Sequence, residues 1–207
     1  MSGAGRAGGP DRPLILFAPG AGAPSSSAWM KGWAARLAEL GEVVPFDYPY
    51  ARQGRRTPDR LPVLVAAHRT ALERARRDRG GVRVILAGKS MGSRVGCHVS
   101  LECPVDALVC LGYPLRGRGG ALRDEVLLAL ATPVLFAQGT RDPLCPLEEL
   151  EAVRAHMRAP SSLHPVQDGD HGLVVGRRRL KARRMTQEDV DRGTLQAIRG
   201  FLQAHLP

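Results

Sequence analysis

The chain has 207 residues, 43% apolar and 4% aromatic, with a formal net charge of +10. This length suits one domain with a real buried core, and the apolar share excludes a disordered chain. No apolar run approaches the roughly 20 residues that a membrane span needs. Six basic residues sit in one stretch, Arg177–Arg184 (RRRLKARR), with no aromatic among them. A dedicated nucleic-acid binder interleaves the two kinds of residue, so nucleic acid is not an expected partner.

Residues 1–12 are Gly-rich and lack the apolar region of a secretory signal, so they read as a flexible tail ahead of one domain over 13–207. The cysteines at 97, 103, 110 and 145 form no C-x-x-C pair and lie in apolar segments. They read as buried reduced thiols, which places the chain in a reducing compartment, the cytoplasm.

From there strand-like and helix-like stretches alternate. LILFA (14–18) is an apolar strand ending at Pro19-Gly20. A helix follows, with Ser25–Ser27 as the cap, Trp29, Trp33, Leu37 and Leu40 at helical spacing, and Gly41 as the stop. EVVPFDYP (42–49) is a second strand, placed at an edge by Pro45. A long helix over 57–81 carries Leu61, Leu64, Val65, His68 and Leu72 on one face and stops at Gly80-Gly81. Then come a strand over 82–87, a helix over 91–102, a strand over 106–112 and a helix over 122–130. A strand over 133–139, a helix over 147–157, a short strand over 161–166 and a final helix over 187–205 complete the chain. Thr186 and Asp189 suggest a capping box on the last helix. Six strands separated by helices predict βαβ units, hence a largely parallel sheet covered on both faces. Function in such a sheet sits beyond the strands' C-terminal ends.

Those ends carry the chemistry. Gly88-Lys89-Ser90-Met91-Gly92 is a G-x-S-x-G pattern between an apolar strand and a helix. In a sharp strand-turn-helix the flanking glycines relieve crowding, and the serine hydroxyl stands clear above the sheet. A random chain of this composition would contain the pattern about 0.1 times; the bland alternative is an ordinary turn serine. A serine nucleophile needs a base, and the base an orienting acid. His171 follows the last strand and Asp142 follows the strand before it. Asp168 is the rival acid, and Asp170 is too near in sequence to fold back onto His171. His164 lies within a strand; His68, His98, His156 and His205 fall on helices; a loop histidine without a role is the alternative for His171. In the small-residue loop APGAGA (18–23), Gly20 and Ala21 are candidate amide donors to an oxyanion beside the amide of Met91, whereas Pro19 has no N–H. An ordinary flexible glycine loop is the alternative.

These residues resemble the α/β-hydrolase superfamily, from Leu14 to Leu206, and within it a small cap-less group that includes dienelactone-hydrolase-like bacterial proteins. The likeness rests on GKSMGSR (88–94), LGYPL (111–115), LRDE (122–125) and PVLFAQGTRD (133–142). That group usually opens its oxyanion loop with His-Gly, where this chain has Pro19-Gly20. Dienelactone hydrolases proper carry a cysteine nucleophile, where this chain has Ser90.

The resemblance implies an α/β-hydrolase fold, a mostly parallel six-stranded sheet with helices on both faces. Only about twenty residues separate the strand at 106–112 from the next, so no cap domain is expected. The expected activity is cleavage of carboxylic esters or thioesters, with Ser90, Asp142 and His171 catalytic, and the amides of Ala21 and Met91 holding the oxyanion. It requires no metal or organic cofactor. The partner is then a small-molecule substrate, expected to be anionic if Arg177, Arg178 and Arg179 rim the pocket; the alternative for these arginines is a solvated loop before the last helix. The competing function is a catalytically quiet fold used as a binding or scaffold protein, with 177–184 contacting an acidic partner or RNA.

Overall fold

The computed structural model describes residues 12–77 and 79–206. The tail read over 1–12 lies outside the described residues except for Arg12. In chain order the elements are β1 (Leu14–Ala18), α1 (Ala28–Leu37), β2 (Glu42–Pro45), α2 (Pro49–Arg52), α3 (Leu61–Arg76), β3 (Val84–Lys89) and α4 (Met91–Glu102). Then follow β4 (Ala107–Leu111), α5 (Glu125–Leu128), β5 (Val134–Gly139), α6 (Leu147–Arg154), β6 (Ser161–Val166), α7 (Arg177–Ala182) and α8 (Gln187–His205).

The six strands form one sheet in the order β2-β1-β3-β4-β5-β6. Every neighbouring pair is parallel, so all C-terminal ends open on the same side. Strand alternation sorts the apolar residues onto two faces. Leu14, Leu16, Leu86, Leu108 and Phe136 meet α3, α4, α5 and α6, whereas Ile15, Phe17, Ile85, Val109 and Leu135 meet α1 and α8. Each fully buried aliphatic or aromatic side chain contributes roughly 1.5–3 kcal/mol. Edge strands β2 and β6 each contain a proline, Pro45 and Pro165, a residue that an interior strand could not hold without losing a ladder bond. The turns between β4 and β5 hold only short helical pieces, and no cap domain stands over the sheet among the described residues. No described helix is long and apolar enough to cross a membrane.

Several elements differ from the sequence expectation. Helix α1 is capped by Ser27 and ends at Leu37, before Gly41. Helix α3 begins at Leu61 rather than 57, with Pro62 in its first turn, where the missing N–H costs nothing. Strand β3 runs on to Lys89, directly into the serine turn. Helix α5 is four residues long, not nine. The stretch Arg177–Ala182, read as a loop, is helical. It starts with three arginines, where positive charge opposes the helix dipole, and no side chain caps it. Tertiary contacts hold it instead: Leu180 packs on the core, Arg179 pairs with Asp168 at 2.5 Å, and Arg183 donates to the Gln167 carbonyl at 3.1 Å. The capping box on α8 is present as expected, from Thr186 and Asp189.

All four cysteines are free thiols, and Cys97, Cys110 and Cys145 are buried. Burial pushes the Cys145 thiol up to about 12, which keeps it protonated and chemically quiet.

His68 is completely buried on α3, with Nδ1 3.1 Å from the Tyr48 hydroxyl and the Phe46 ring alongside. Burial lowers its pKa to about 3. The unfolded imidazole takes a proton below about pH 6.5. Between these values the unfolded chain binds more protons than the folded one, so stability rises with pH. It is complete above the unfolded value and is lost as pH falls towards 3. In urea melts from pH 7 to 4, the wild type should lose roughly 1 kcal/mol per pH unit more than His68→Gln. Parallel pH profiles for the two proteins would refute a buried neutral His68.

Candidate active site

Ser90 joins β3 to α4 with φ 49° and ψ −115°, a left-handed geometry that is strained for a residue with a side chain. Two close approaches force the turn to be made with glycines. A Cβ at Gly88 would lie 2.3 Å from the Ser93 nitrogen, and one at Gly92 would lie 2.5 Å from the Ala18 carbonyl. The Ser90 N–H donates to the Leu111 carbonyl on β4 (3.1 Å), and the Ser93 hydroxyl donates to the Ser90 carbonyl (2.6 Å). The elbow is thereby tied to the neighbouring strand and to its own helix. The hydroxyl is left facing the sheet's C-terminal side. Met91, the first residue of α4, has an N–H with no partner in the helix.

Asp142 follows β5, and its carboxylate is fully buried. Oδ1 accepts the Leu144 N–H (2.9 Å), and Oδ2 accepts Gln138 Nε2 (2.5 Å) and faces His171 Nδ1 (2.7 Å). Gln138 is itself buried on β5 and accepts the Tyr113 N–H (2.8 Å), so its amide orientation is fixed from behind. His171 Nε2 lies 2.7 Å from Ser90 Oγ. Hydroxyl, imidazole and carboxylate thus form one continuous hydrogen-bonded line, which the sequence had scattered over Ser90, Asp142 and His171.

The loop bearing His171 is held on several sides. Asp170 Oδ1 accepts the N–H groups of Gly172 (2.7 Å) and Val174 (3.0 Å), which closes the turn. Trp29 Nε1 donates to the Gly172 carbonyl (2.8 Å), and Lys89 Nζ reaches the His171 carbonyl (3.4 Å). Gln187 donates to the Leu173 carbonyl and accepts the Val175 N–H. The Lys89 ammonium lies 4.7 Å above the Trp29 ring, a cation–π contact. Burial lowers its pKa, while the Asp170 and Asp142 carboxylates pull the other way.

In the 18–23 loop, Gly20 packs against Lys89 and the Ser90 Cβ, each about 3.5 Å from where a Gly20 Cβ would sit. Ala21 is exposed at the following turn. Pro19 offers no N–H, and the loop is braced from another element. Buried Tyr50 on α2 directs its hydroxyl at the Gly20 carbonyl (3.5 Å) and lies against the Gly22 backbone. Burial raises its pKa, which keeps the phenol a donor.

The rival groups are engaged elsewhere. Asp168 pairs with Arg179, and its N–H donates to the Thr140 hydroxyl (2.8 Å). His156 bonds the Ala152 carbonyl, His205 lies tilted against the Phe201 ring, and His68 faces Tyr48. Arg177, Arg178 and Arg179 stand together at the start of α7. With Arg141, Asp168 and Asp170 they line a separate cavity of about 660 Å³, whose wall includes neither Ser90 nor His171. Sequence reading missed Gln138, Trp29, Lys89 and Tyr50. A glutamine closing an apolar strand four residues before the acid was a legible signal for the first; the others act through contacts distant in sequence.

A family model described as an alpha/beta hydrolase domain matches residues 11–203. An alpha-beta serine hydrolase homologue from Coxiella burnetii has a similar structure, with 20% identity, 88% of each chain covered and a TM-score of 0.68. A lid-less serine hydrolase from Xanthomonas campestris shares 19% identity over 94% of this chain and 83% of its own, with a TM-score of 0.70. A cold-adapted esterase from an Arctic intertidal metagenomic library shares 15% identity over 95% and 84%, with a TM-score of 0.68. At these identities the structural likeness is one of fold. The family match is broader evidence, since it starts ahead of β1 and ends inside α8, and on that ground the chain belongs to the alpha/beta hydrolase domain family.

Proposed function

We propose that the protein is a serine hydrolase acting on carboxylic esters or thioesters. The observation that carries this reading is the line Ser90 Oγ–His171 Nε2 at 2.7 Å and His171 Nδ1–Asp142 Oδ2 at 2.7 Å, set on a strained elbow. In this mechanism Ser90 Oγ attacks the substrate carbonyl carbon while His171 Nε2 takes its proton. The amide N–H groups of Ala21 and Met91 donate to the oxyanion that forms, each worth roughly 3 kcal/mol in the transition state. The tetrahedral adduct collapses, and the leaving alkoxide or thiolate takes the proton from His171. Water then attacks the acyl-enzyme, gives its proton to His171, and releases a carboxylic acid and the free Ser90 hydroxyl. Asp142 holds Nδ1–H and stabilises the imidazolium. Gln138 and the Leu144 N–H keep that carboxylate in place. The structural likeness to a serine hydrolase homologue and to an esterase supports the reaction class.

The decisive experiment is labelling with a fluorophosphonate probe, followed by peptide mass spectrometry. The expected result is one adduct, on Ser90, formed by native but not by denatured protein. A native protein that resists the probe favours the quiet binding fold instead. Turnover assays on matched short- and long-chain esters and thioesters then define the acyl group.

A further inference from the structure

The basic stretch that follows the base loop has a place in the fold that hydrolysis at Ser90 does not use. Arg141, Arg177, Arg178 and Arg179 line one cavity of about 660 Å³, together with Asp168, Asp170, Val174, Gly176 and Ala182. The two acids offset only half of this wall's charge, two carboxylates against four arginines. Asp168 is matched to Arg179 at 2.5 Å, and the Asp170 Oδ1 accepts two backbone N–H groups of its own loop. Arg141, Arg177 and Arg178 make no ion pair and no side-chain hydrogen bond among the described residues. Three guanidinium groups therefore border one concavity without an ion pair of their own, and the wall keeps a net positive charge.

The frame beneath them is built. Arg141 follows β5, and its N–H is bonded to the Gly169 carbonyl at 2.9 Å. Helix α7 is tied back to the same loop by Arg179–Asp168 and by Arg183 to the Gln167 carbonyl. The volume lies within the range of small-molecule sites, about 300–1,000 Å³, and exceeds the needs of a single ion. Guanidinium forks match phosphate oxygens in paired hydrogen bonds. Val174, Gly176 and Ala182 leave an apolar floor for an attached organic group. No aromatic side chain lines the wall for base stacking, which disfavours single-stranded nucleic acid.

We propose that this cavity is a second binding site, for a small molecule bearing a diphosphate. Two linked phosphates supply charge and acceptors for Arg141, Arg177 and Arg178 together. The cavity wall contains Asp170, the residue before His171, so a diphosphate held there lies next to the loop that carries the proposed base.

The test is calorimetric titration of the full chain with inorganic pyrophosphate. Saturable binding with one ligand per chain is expected. The Arg141→Gln/Arg177→Gln/Arg178→Gln variant should bind at least roughly tenfold more weakly. The control Lys181→Gln/Arg184→Gln removes two charges outside the wall and should stay within about threefold of wild type. Should the triple variant fail to melt cooperatively, Arg141→Gln and Arg178→Gln singly carry the comparison. Non-saturable binding, or equal losses in both variants, overturns the proposal, as does a single-stranded oligoribonucleotide binding more tightly than pyrophosphate. Binding is read without turnover, so Ser90→Ala protein gives the same answer and failure here leaves the hydrolase reading untouched. Kinetics then separate two sources of the diphosphate. Pyrophosphate competing only with a thioester that has a diphosphate tail assigns it to the substrate; a changed kcat on a neutral ester assigns it to an effector.

Discussion

Replacing Ser90 by alanine should abolish ester hydrolysis, with kcat falling on the order of 10⁴–10⁶-fold. The loss arises because the group removed is the one that forms the acyl bond, and His171 alone has no nucleophile to activate. The fold should survive. Alanine keeps the Cβ and the same backbone, and the two bonds that secure the elbow, Ser90 N–H to Leu111 and Ser93 to the residue 90 carbonyl, involve only main chain at this position. Circular dichroism and the thermal midpoint should match wild type while turnover and fluorophosphonate labelling disappear together. A variant that keeps most of the wild-type rate would remove Ser90 from the mechanism.

Asp142→Asn should lower kcat by roughly 10⁴-fold. The carboxylate accepts from Leu144 on one oxygen, and from Gln138 and His171 on the other. Asparagine has one oxygen for these three donors. If the oxygen faces His171, the new NH₂ meets the Leu144 N–H, donor against donor. If the side chain turns over, the NH₂ faces Nδ1 and forces the proton onto Nε2, where it cannot accept from Ser90. The adjacent Asp168→Asn provides the contrast. It breaks a partly exposed pair with Arg179, worth at most about 1 kcal/mol, and touches neither ring nitrogen of His171. Its rate on the same ester should stay within about fivefold of wild type. A larger loss at Asp168 than at Asp142 would move the orienting acid.

The strand-helix alternation, the edge position of β2 and the three residues of the hydrogen-bonded line were legible because each has a local cause. Apolar runs mark buried strands, Pro45 excludes an interior strand, and Ser90, Asp142 and His171 each follow one. What was not legible depends on distance or on contradiction. Trp29 reaches Gly172 across 143 positions, a contact that no local pattern encodes. Helix α7 violates the usual charge preference of a helix start, so its sequence argues for a loop until Asp168 and Gln167 are seen beneath it. Arg177–Arg179, which the sequence allowed either at the pocket rim or in a solvated loop, line one cavity with Arg141. Tyr50 likewise acts at a distance, since α2 turns its hydroxyl onto Gly20, 30 positions before it.

The prolines of the two outermost strands bear on the protein's behaviour in crowded solution. An open parallel sheet has two unpaired margins, and each is a template on which a foreign strand could add. Here one margin is a four-residue strand ending in Pro45, and the other carries Pro165 near its end. Each withholds one hydrogen-bond donor from an incoming chain, and the first is also too short to seat one for long. Growth by strand addition is thereby disfavoured at both margins, and fibrous self-association through them is discouraged.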